Sequence, residues 1–420
     1  MPVRALTRTA GRKFLLAAAA VVTAAVPATS FAQEVIDSLQ DSNGDVFAGQ
    51  TLNVVQNDGL TKAEAYATGN QMQGGNEAVD ATVKNAQNVR GKVAGEVAIN
   101  GQNTTDEYLS LGTPVYAVSQ GIGNYSSWVA TNGDTTAETH QTATAESVKA
   151  TTHITAPNNA IYVSGQGDAR AVVNHSAWQV TNGRLNVAAW QTSTSDARAN
   201  VSTIIEYSPS PNVYTAEATG NYHASYSDDR GSQEHNVVQE QSGFTQARSE
   251  VYGGNMWIVA TKGTATGNNN DVQNDGGSLV VDNKQIQSGA VQAQAVTEAY
   301  QYGEAHATAV AIGNNQASGN NDIYLRLDND QLSSGGVDAT ASFEGAVGYD
   351  AYLAADAVGN QSLGYACAEC GADVGVNNNQ VNNSDVSANA IANVARGRSI
   401  VSTARATGNS ATYYATGGNK

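Results

Sequence analysis

Small apolar and polar side chains alternate along much of this chain with a period of two. Val291, Ala293, Ala295, Thr297 and Ala299 alternate with Gln292, Gln294, Val296, Glu298 and Tyr300. After a break containing Gly303, Ala305, Ala307, Ala309 and Ala311 alternate with His306, Thr308, Val310 and Ile312, and Gly313-Asn314 follow. The parity survives a step of 46 residues, to Ala351, Leu353, Ala355 and Ala357 before Gly359, and a further step of 49, to Ile400, Ser402, Ala404 and Ala406 before Gly408. Successive side chains of a strand point to opposite faces, so each run predicts a strand with one face of mainly small groups. Ala, Gln and Glu also favour helices, and propensity alone leaves a helical reading open. The strict alternation, the recurrence of Thr, Val and Tyr, and the stop at Gly-Asn, a turn signal, favour strands.

The runs recur because the chain repeats itself. Gly-Asn pairs at Gly69, Gly123, Gly220, Gly267, Gly313, Gly359 and Gly408, with Val173-Asn174 in the one vacant place, mark units of 46 to 54 residues. A glutamine travels with them: Gln87, Gln141, Gln191, Gln239, Gln285 and Gln331 lie 18 or 19 residues after each mark, and Gln380 lies 21 after its own. About seven copies of one unit predict an all-β, repetitive β-solenoid, whose units bury a core only against their neighbours. Stacked in register, Asn70, Asn124, Asn174, Asn221, Asn268, Asn314, Asn360 and Asn409 form one column and the glutamines another. Their amides hydrogen-bond up and down the stack as in cross-β ladders, while Gly or Asn at the mark takes a positive φ at a corner. This structural role is favoured over ligand binding for both columns. Asn-Gly at Asn132-Gly133 and Asn182-Gly183 predicts tight turns after Trp128 and Trp178. Those tryptophans are read as packing between layers in preference to a sugar-contacting surface.

Spacing also suggests subdivisions. Pro114, Pro157, Pro209 and Pro211 fall where the interval from glutamine to the next mark is 36, 32 and 29 residues, against 28 in later units, so the extra residues are expected to leave the stack as surface loops. The array divides into a partial first unit at 33–68, irregular repeats at 69–219, regular repeats at 220–407 and a partial last unit at 408–420. In the first, Asn53-Val54-Val55-Gln56 echoes Asn236-Val237-Val238-Gln239. Residues 1–32 read as a signal peptide. Arg4, Arg8, Arg12 and Lys13 precede the apolar run from Phe14 to Val26, and Ser30-Phe31-Ala32 offers cleavage between Ala32 and Gln33.

Charge narrows the function. The chain carries 21 Lys and Arg against 38 Asp and Glu, a net −17; without the leader the balance is 17 against 38, or −21. Such a surface repels phosphate backbones and anionic lipid, so nucleic acid is not an expected partner. Charged residues are only 14% of the chain and aromatic ones 6%, which points to a thin core of small residues in place of a thick globular one. Catalytic signatures are sparse. Cys367 and Cys370, the only thiols, read as a local disulfide in an exported protein. Asp41, Asn43 and Asp45 begin a calcium-loop pattern that fails at Val46 and Leu52, and Asp328-Asn329-Asp330 reads as solvated turn residues. His140, His153, His175, His223, His235 and His306 share no metal-ligand spacing. No nucleophile elbow, phosphate loop or dinucleotide fingerprint is present, and no catalytic residue, cofactor or metal is expected. A polysaccharide-cleaving β-helix would need a cluster of basic side chains or a carboxylate pair, and the basic residues are few and scattered.

Ala67-Thr68-Gly69-Asn70, Ala218-Thr219-Gly220-Asn221, Ala265-Thr266-Gly267-Asn268 and Ala406-Thr407-Gly408-Asn409, set in an acidic, Asn- and Gln-rich, nearly Cys-free body, give a chain that resembles the holdfast-anchor protein D family of stalked bacteria. The resemblance covers most of the chain after the leader and rests on overall pattern. It implies an exported protein of the outer surface that tethers an adhesive exopolysaccharide to the envelope. Implied partners are holdfast-type polysaccharide, a curli-like small anchor protein and an outer-membrane export lipoprotein. The repeats themselves leave a self-assembling fibre subunit as an alternative, with homo-oligomers formed through the end layers.

Overall fold

The computed structural model describes residues 34–105, 107–228, 231–322, 324–366 and 372–415. The expected cleavage point at Ala32 and Gln33 and the Cys367–Cys370 pair lie outside them.

Every ladder is parallel, and the described chain is strand throughout, joined by short bends. One winding of a solenoid consists of a short strand followed by a long bent one: Ser278–Gln287 then Val291–Asn320, or Tyr324–Ser333 then Val337–Ala366. Short strands stack on short strands in an eight-stranded sheet, and long ones stack in a second sheet of thirteen strands, the excess arising because some windings break the long strand into pieces. Each repeat is therefore one winding. The described residues form eight, at 34–77, 81–131, 135–181, 184–228, 232–274, 278–320, 324–366 and 373–415. The end segments that look partial when counted from Gly-Asn complete the first and last of these, because the mark falls in the middle of a winding.

The long strand Thr245–Asn274 shows how a winding closes. Its first arm, 245–253, turns inward Ala247 and Val251; its second, 258–266, turns inward Val259 and Ala265; the two face each other across a thin core continued by Ala293, Ala295, Ala305 and Ala307 in the next winding. Its third arm, 268–274, packs Val272 against Leu279, Val281, Leu325 and Leu327 of the short-strand sheet. Earlier windings fill that second lobe with Trp128 and Trp178 beside Val83, Ala137 and Val187. Both tryptophans are 3% exposed and are direct neighbours in register, so they are packing residues.

The Gly-Asn mark joins the second arm to the third, and here the structure corrects the expectation of a strand end with positive φ. Strand runs straight through it. Thr266 pairs with Ile312 and Asn268 with Asn314, leaving Gly267 skipped, and the inward-facing parity changes from odd to even residues at that point. Glycine serves close approach: a Cβ on Gly267 would stand 2.5 Å from the carbonyl oxygen of Gly313, and one on Gly313 equally near that of Gly359. One winding carries Val173 at this place, skipped in the ladder in the same way and buried. Positive φ occurs at the Asn-Gly turns instead, at Asn132 and Asn182, which join a third arm to the next short strand.

The prolines also differ from expectation. Only the stretch before Pro114 leaves the stack at length; Pro157 lies within Ser147–Ile161, and Pro209 and Pro211 within Asp196–Asp228. The ladder shifts register at these places, between Ile205 and Tyr207 and between Ser208 and Pro211, so the surplus residues are taken up as bulges.

Candidate functional site

Asn268 opens the third arm and points into the lobe between that arm and the short-strand sheet. Its Nδ2 donates to Asn314 Oδ1 at 2.8 Å and to the carbonyl of Ile286 at 2.9 Å, while its Oδ1 accepts from Asn221 at 2.8 Å. Gln285 faces it: Nε2 donates to Gln239 Oε1 at 2.7 Å and to the carbonyl of Asn315 at 2.8 Å, and Oε1 accepts from Gln331 at 2.7 Å. The asparagine thus clasps the residue after the glutamine of the next winding, and that glutamine clasps the residue after the asparagine of its own winding. The interval of 18 residues is the chain needed to run out along the third arm, turn, and return along the short strand. Where more residues separate Asn360 from Asp373–Asn382, the interval grows to 21 and the same bonds form, from Asn360 to Val381 and from Gln380 to Ser410.

The asparagine column runs unbroken through Asn70, Asn124, Asn174, Asn221, Asn268, Asn314, Asn360 and Asn409, each Nδ2 donating to the Oδ1 of the next at 2.8 to 2.9 Å. The glutamine column runs through Gln87, Gln141, Gln191, Gln239, Gln285, Gln331 and Gln380 with donation in the opposite direction, each Nε2 giving to the preceding winding. It begins one winding earlier than the sequence reading had it, at Gln40, which accepts from Gln87 and donates to the carbonyl of Gln71 at 2.8 Å. Gln56, whose surroundings in sequence echo those of Gln239, lies past the end of Val46–Val54 and bonds Asp58. A second asparagine column, Asn283, Asn329 and Asn378, was also missed, although its spacings of 46 and 49 residues repeat the period. Buried amides are tolerated only when paired, and here the pairing is supplied by copies of the same residue.

Other candidates have local structural tasks. Asn43 accepts from Arg90 and Asp45 from the backbone of Lys92 at the first corner. Asp328 pairs with Arg326, Asn329 is inside the second asparagine column, and Asp330 accepts from Asn379. His223 and His235 replace Asn270 and Val281 of the following winding in the interior, 3.2 Å apart; burial depresses His223 to about 3 and holds His235 well below the ordinary imidazole value, so both are neutral packing groups.

The outer surface is organised by the same register. Tyr125, His175 and Tyr222 stack in one file, His140 on Trp190 in another, and His306 on Tyr352 in a third. At the corner between first and second arms, Gly303 separates Trp257 from Tyr349 and lets their rings meet edge to face at 6.1 Å across its winding. Just before that corner a groove of about 380 Å³ runs across several windings, lined by Glu206, Tyr252, Glu298, Tyr300 and Glu344 among others.

Comparison with known families places residues 55–336 on the profile of holdfast attachment protein D. Searches of curated proteins and of solved structures find no match. The matched span takes in the amide columns from Asn70 to Asn314 and the greater part of the groove, so the family is represented by the solenoid body itself, and the chain belongs to the holdfast attachment protein D family.

Proposed function

We propose that this protein is an exported, outer-surface structural element that holds an adhesive exopolysaccharide of holdfast type to the cell envelope. The observation that supports it best is the stack of eight windings joined by an unbroken asparagine column. Outward residues recur at the strand spacing of about 4.8 Å along its axis. A polymer lying along that axis meets many similar shallow contacts, and multiplicity raises retention by orders of magnitude without any single tight site. The acidic surface makes nucleic acid and anionic headgroups poor partners. Family membership supports a curli-like small anchor protein and an outer-membrane export lipoprotein as companions in assembly. The role is mechanical and requires no catalysis. Deleting the gene is expected to release the adhesin into the medium, and the purified chain is expected to pull down holdfast polysaccharide. Adhesion unchanged by deletion would refute the role.

A second reading, a self-assembling fibre subunit, is favoured by the opposed polarity of the two amide columns, which leaves the two ends of the solenoid complementary.

A further inference from the structure

Along the regular windings three outward columns set carboxylate beside carboxylate: Asp282 on Asp328 and Glu304 on Asp350, where Arg326 and Arg398 pair with the second aspartate of each, and a third that has no such partner. From winding to winding it reads Ile204, Tyr252, Glu298, Glu344. The adjoining corner adds Glu206, Gly254 and Tyr300, and the small Gly254 leaves the floor of the groove open beside Tyr300, which is 64% exposed. In-register stacking sets Glu298 directly opposite Glu344 on neighbouring strands, an arrangement in which like charges destabilise a sheet. Burial, then Glu344 and Glu250, push the Glu298 carboxyl upward. Internal relief is lacking: among the described residues no Lys or Arg forms an ion pair with Glu206, Glu298 or Glu344, and the nearby Arg248 is taken by Glu250. The sheet keeps a repulsive pair at an open groove, where a cation arriving from solvent relieves it. The exposed Tyr300 and the half-buried Tyr252 beside the carboxylates add a second specificity. Aromatic faces pack against the C–H face of a sugar ring and attract ammonium groups, while carboxylates accept from hydroxyl and ammonium donors.

We infer that this groove binds an amino-sugar polymer, a polysaccharide whose rings carry free ammonium groups, threaded along the stacking axis. Ammonium groups lie against Glu206, Glu298 and Glu344, and sugar faces rest on Tyr252 and Tyr300. The charge of the ligand follows from complementarity to a chain of net charge −17 whose groove concentrates unpaired carboxylates. This assignment rests on the proposed attachment role and adds to it the residues and the charge of what is held.

The test uses the full chain and two soluble probes of equal length, a glucosamine oligomer and its fully N-acetylated counterpart, with affinity followed by calorimetry. The glucosamine oligomer is expected to bind, more weakly as salt rises, and its acetylated form to bind at least about tenfold less tightly once the charge is removed. Glu298→Gln with Glu344→Gln should reduce glucosamine binding about tenfold while leaving the circular dichroism spectrum unchanged and the melting temperature equal or higher. Tyr300→Ala should weaken both probes. Equal affinity for the two oligomers, or wild-type affinity in the double variant, overturns the assignment. In cells, adhesin shed on gene deletion but retained by the double variant leaves the attachment role standing and removes the groove from it. Oligomer binding that depends on the groove, together with adhesion unaffected by deletion, does the reverse.

Discussion

A primary amide in the interior of a winding brings two N–H donors and a carbonyl acceptor, and in a low-dielectric core each has to be met. Asn268 meets all of them with Asn314, Ile286 and Asn221. Truncating it strands groups on three other residues, which is more costly than losing the bonds themselves. Asn268→Ala is therefore expected to destabilise the protein by about 2–4 kcal/mol in denaturant unfolding. Thr308→Ala, on the outward side of the neighbouring long strand, should cost under about 0.5 kcal/mol. Equal costs for the two would remove the column as a source of stability. The alanines could not supply that stability by themselves, since a row such as Ala305, Ala307, Ala309 and Ala311 is fully buried yet offers one methyl group at each position.

At the scale of the winding, register is the quantity the sequence has to preserve. Removing residues 268–313, one full period, joins Gly267 to Asn314 and places Asn221 beneath Asn314, a partner chemically identical to the one it lost. Such a deletion should give a folded protein with an unchanged strand-type circular dichroism spectrum and a modestly lower melting temperature, because stability in a stacked array adds by neighbours. Removing 268–290, half a period, sets third-arm residues against first-arm residues and should abolish the cooperative transition; survival of both deletions would mean register is not specified by these columns. The same dependence explains what could be read from sequence. Period, strand parity and the paired marks were legible because in-register stacking copies a residue type from one winding to the next. The skip at Gly267 was not, since a glycine at a bend inside a strand and a glycine at a turn leave the same trace. Gln40 escaped because its neighbours Leu39 and Asp41 lack the Val-Val-Gln echo that drew attention to Gln56. The groove escaped for a different reason. Glu298 and Glu344 read as ordinary outward polar residues, and only stacking brings them beside Tyr252 and beside Glu206, which comes from a winding of different spacing.

At the scale of the whole molecule, the two amide columns give the solenoid ends that differ in kind. Asparagine donation runs toward the C-terminal winding and glutamine donation toward the N-terminal one. Among the described residues, the last winding is left with Gln380 Oε1 without a donor and Asn409 bonded through Nδ2 only to the carbonyl of Gln380, at 3.3 Å. The first winding offers the reverse, an Asn70 Oδ1 with no donor and a Gln40 Nε2 whose one bond is to Gln71. A second copy stacked head to tail continues both columns with the polarity they already have: Asn409 gives to Asn70 of the copy, and Gln40 of the copy gives to Gln380. Head-to-tail contact repeats the arrangement that already joins each winding to the next and leaves both outer ends open, so association of this kind would be directional and would extend into filaments. The half-covered side chains at the two ends, Val46, Leu52 and Val54 at one and Val386, Ala390 and Val394 at the other, gain apolar cover in the same step. Purified chain is accordingly expected to sediment as a concentration-dependent series of end-to-end species and to give fibre diffraction with a reflection at about 4.8 Å along the filament axis. Ala390→Lys, which places a charge on the inward face of the last winding, should hold the protein monomeric with its spectrum intact. A wild-type chain that remains monomeric up to millimolar concentration would show that the ends, though complementary, do not associate.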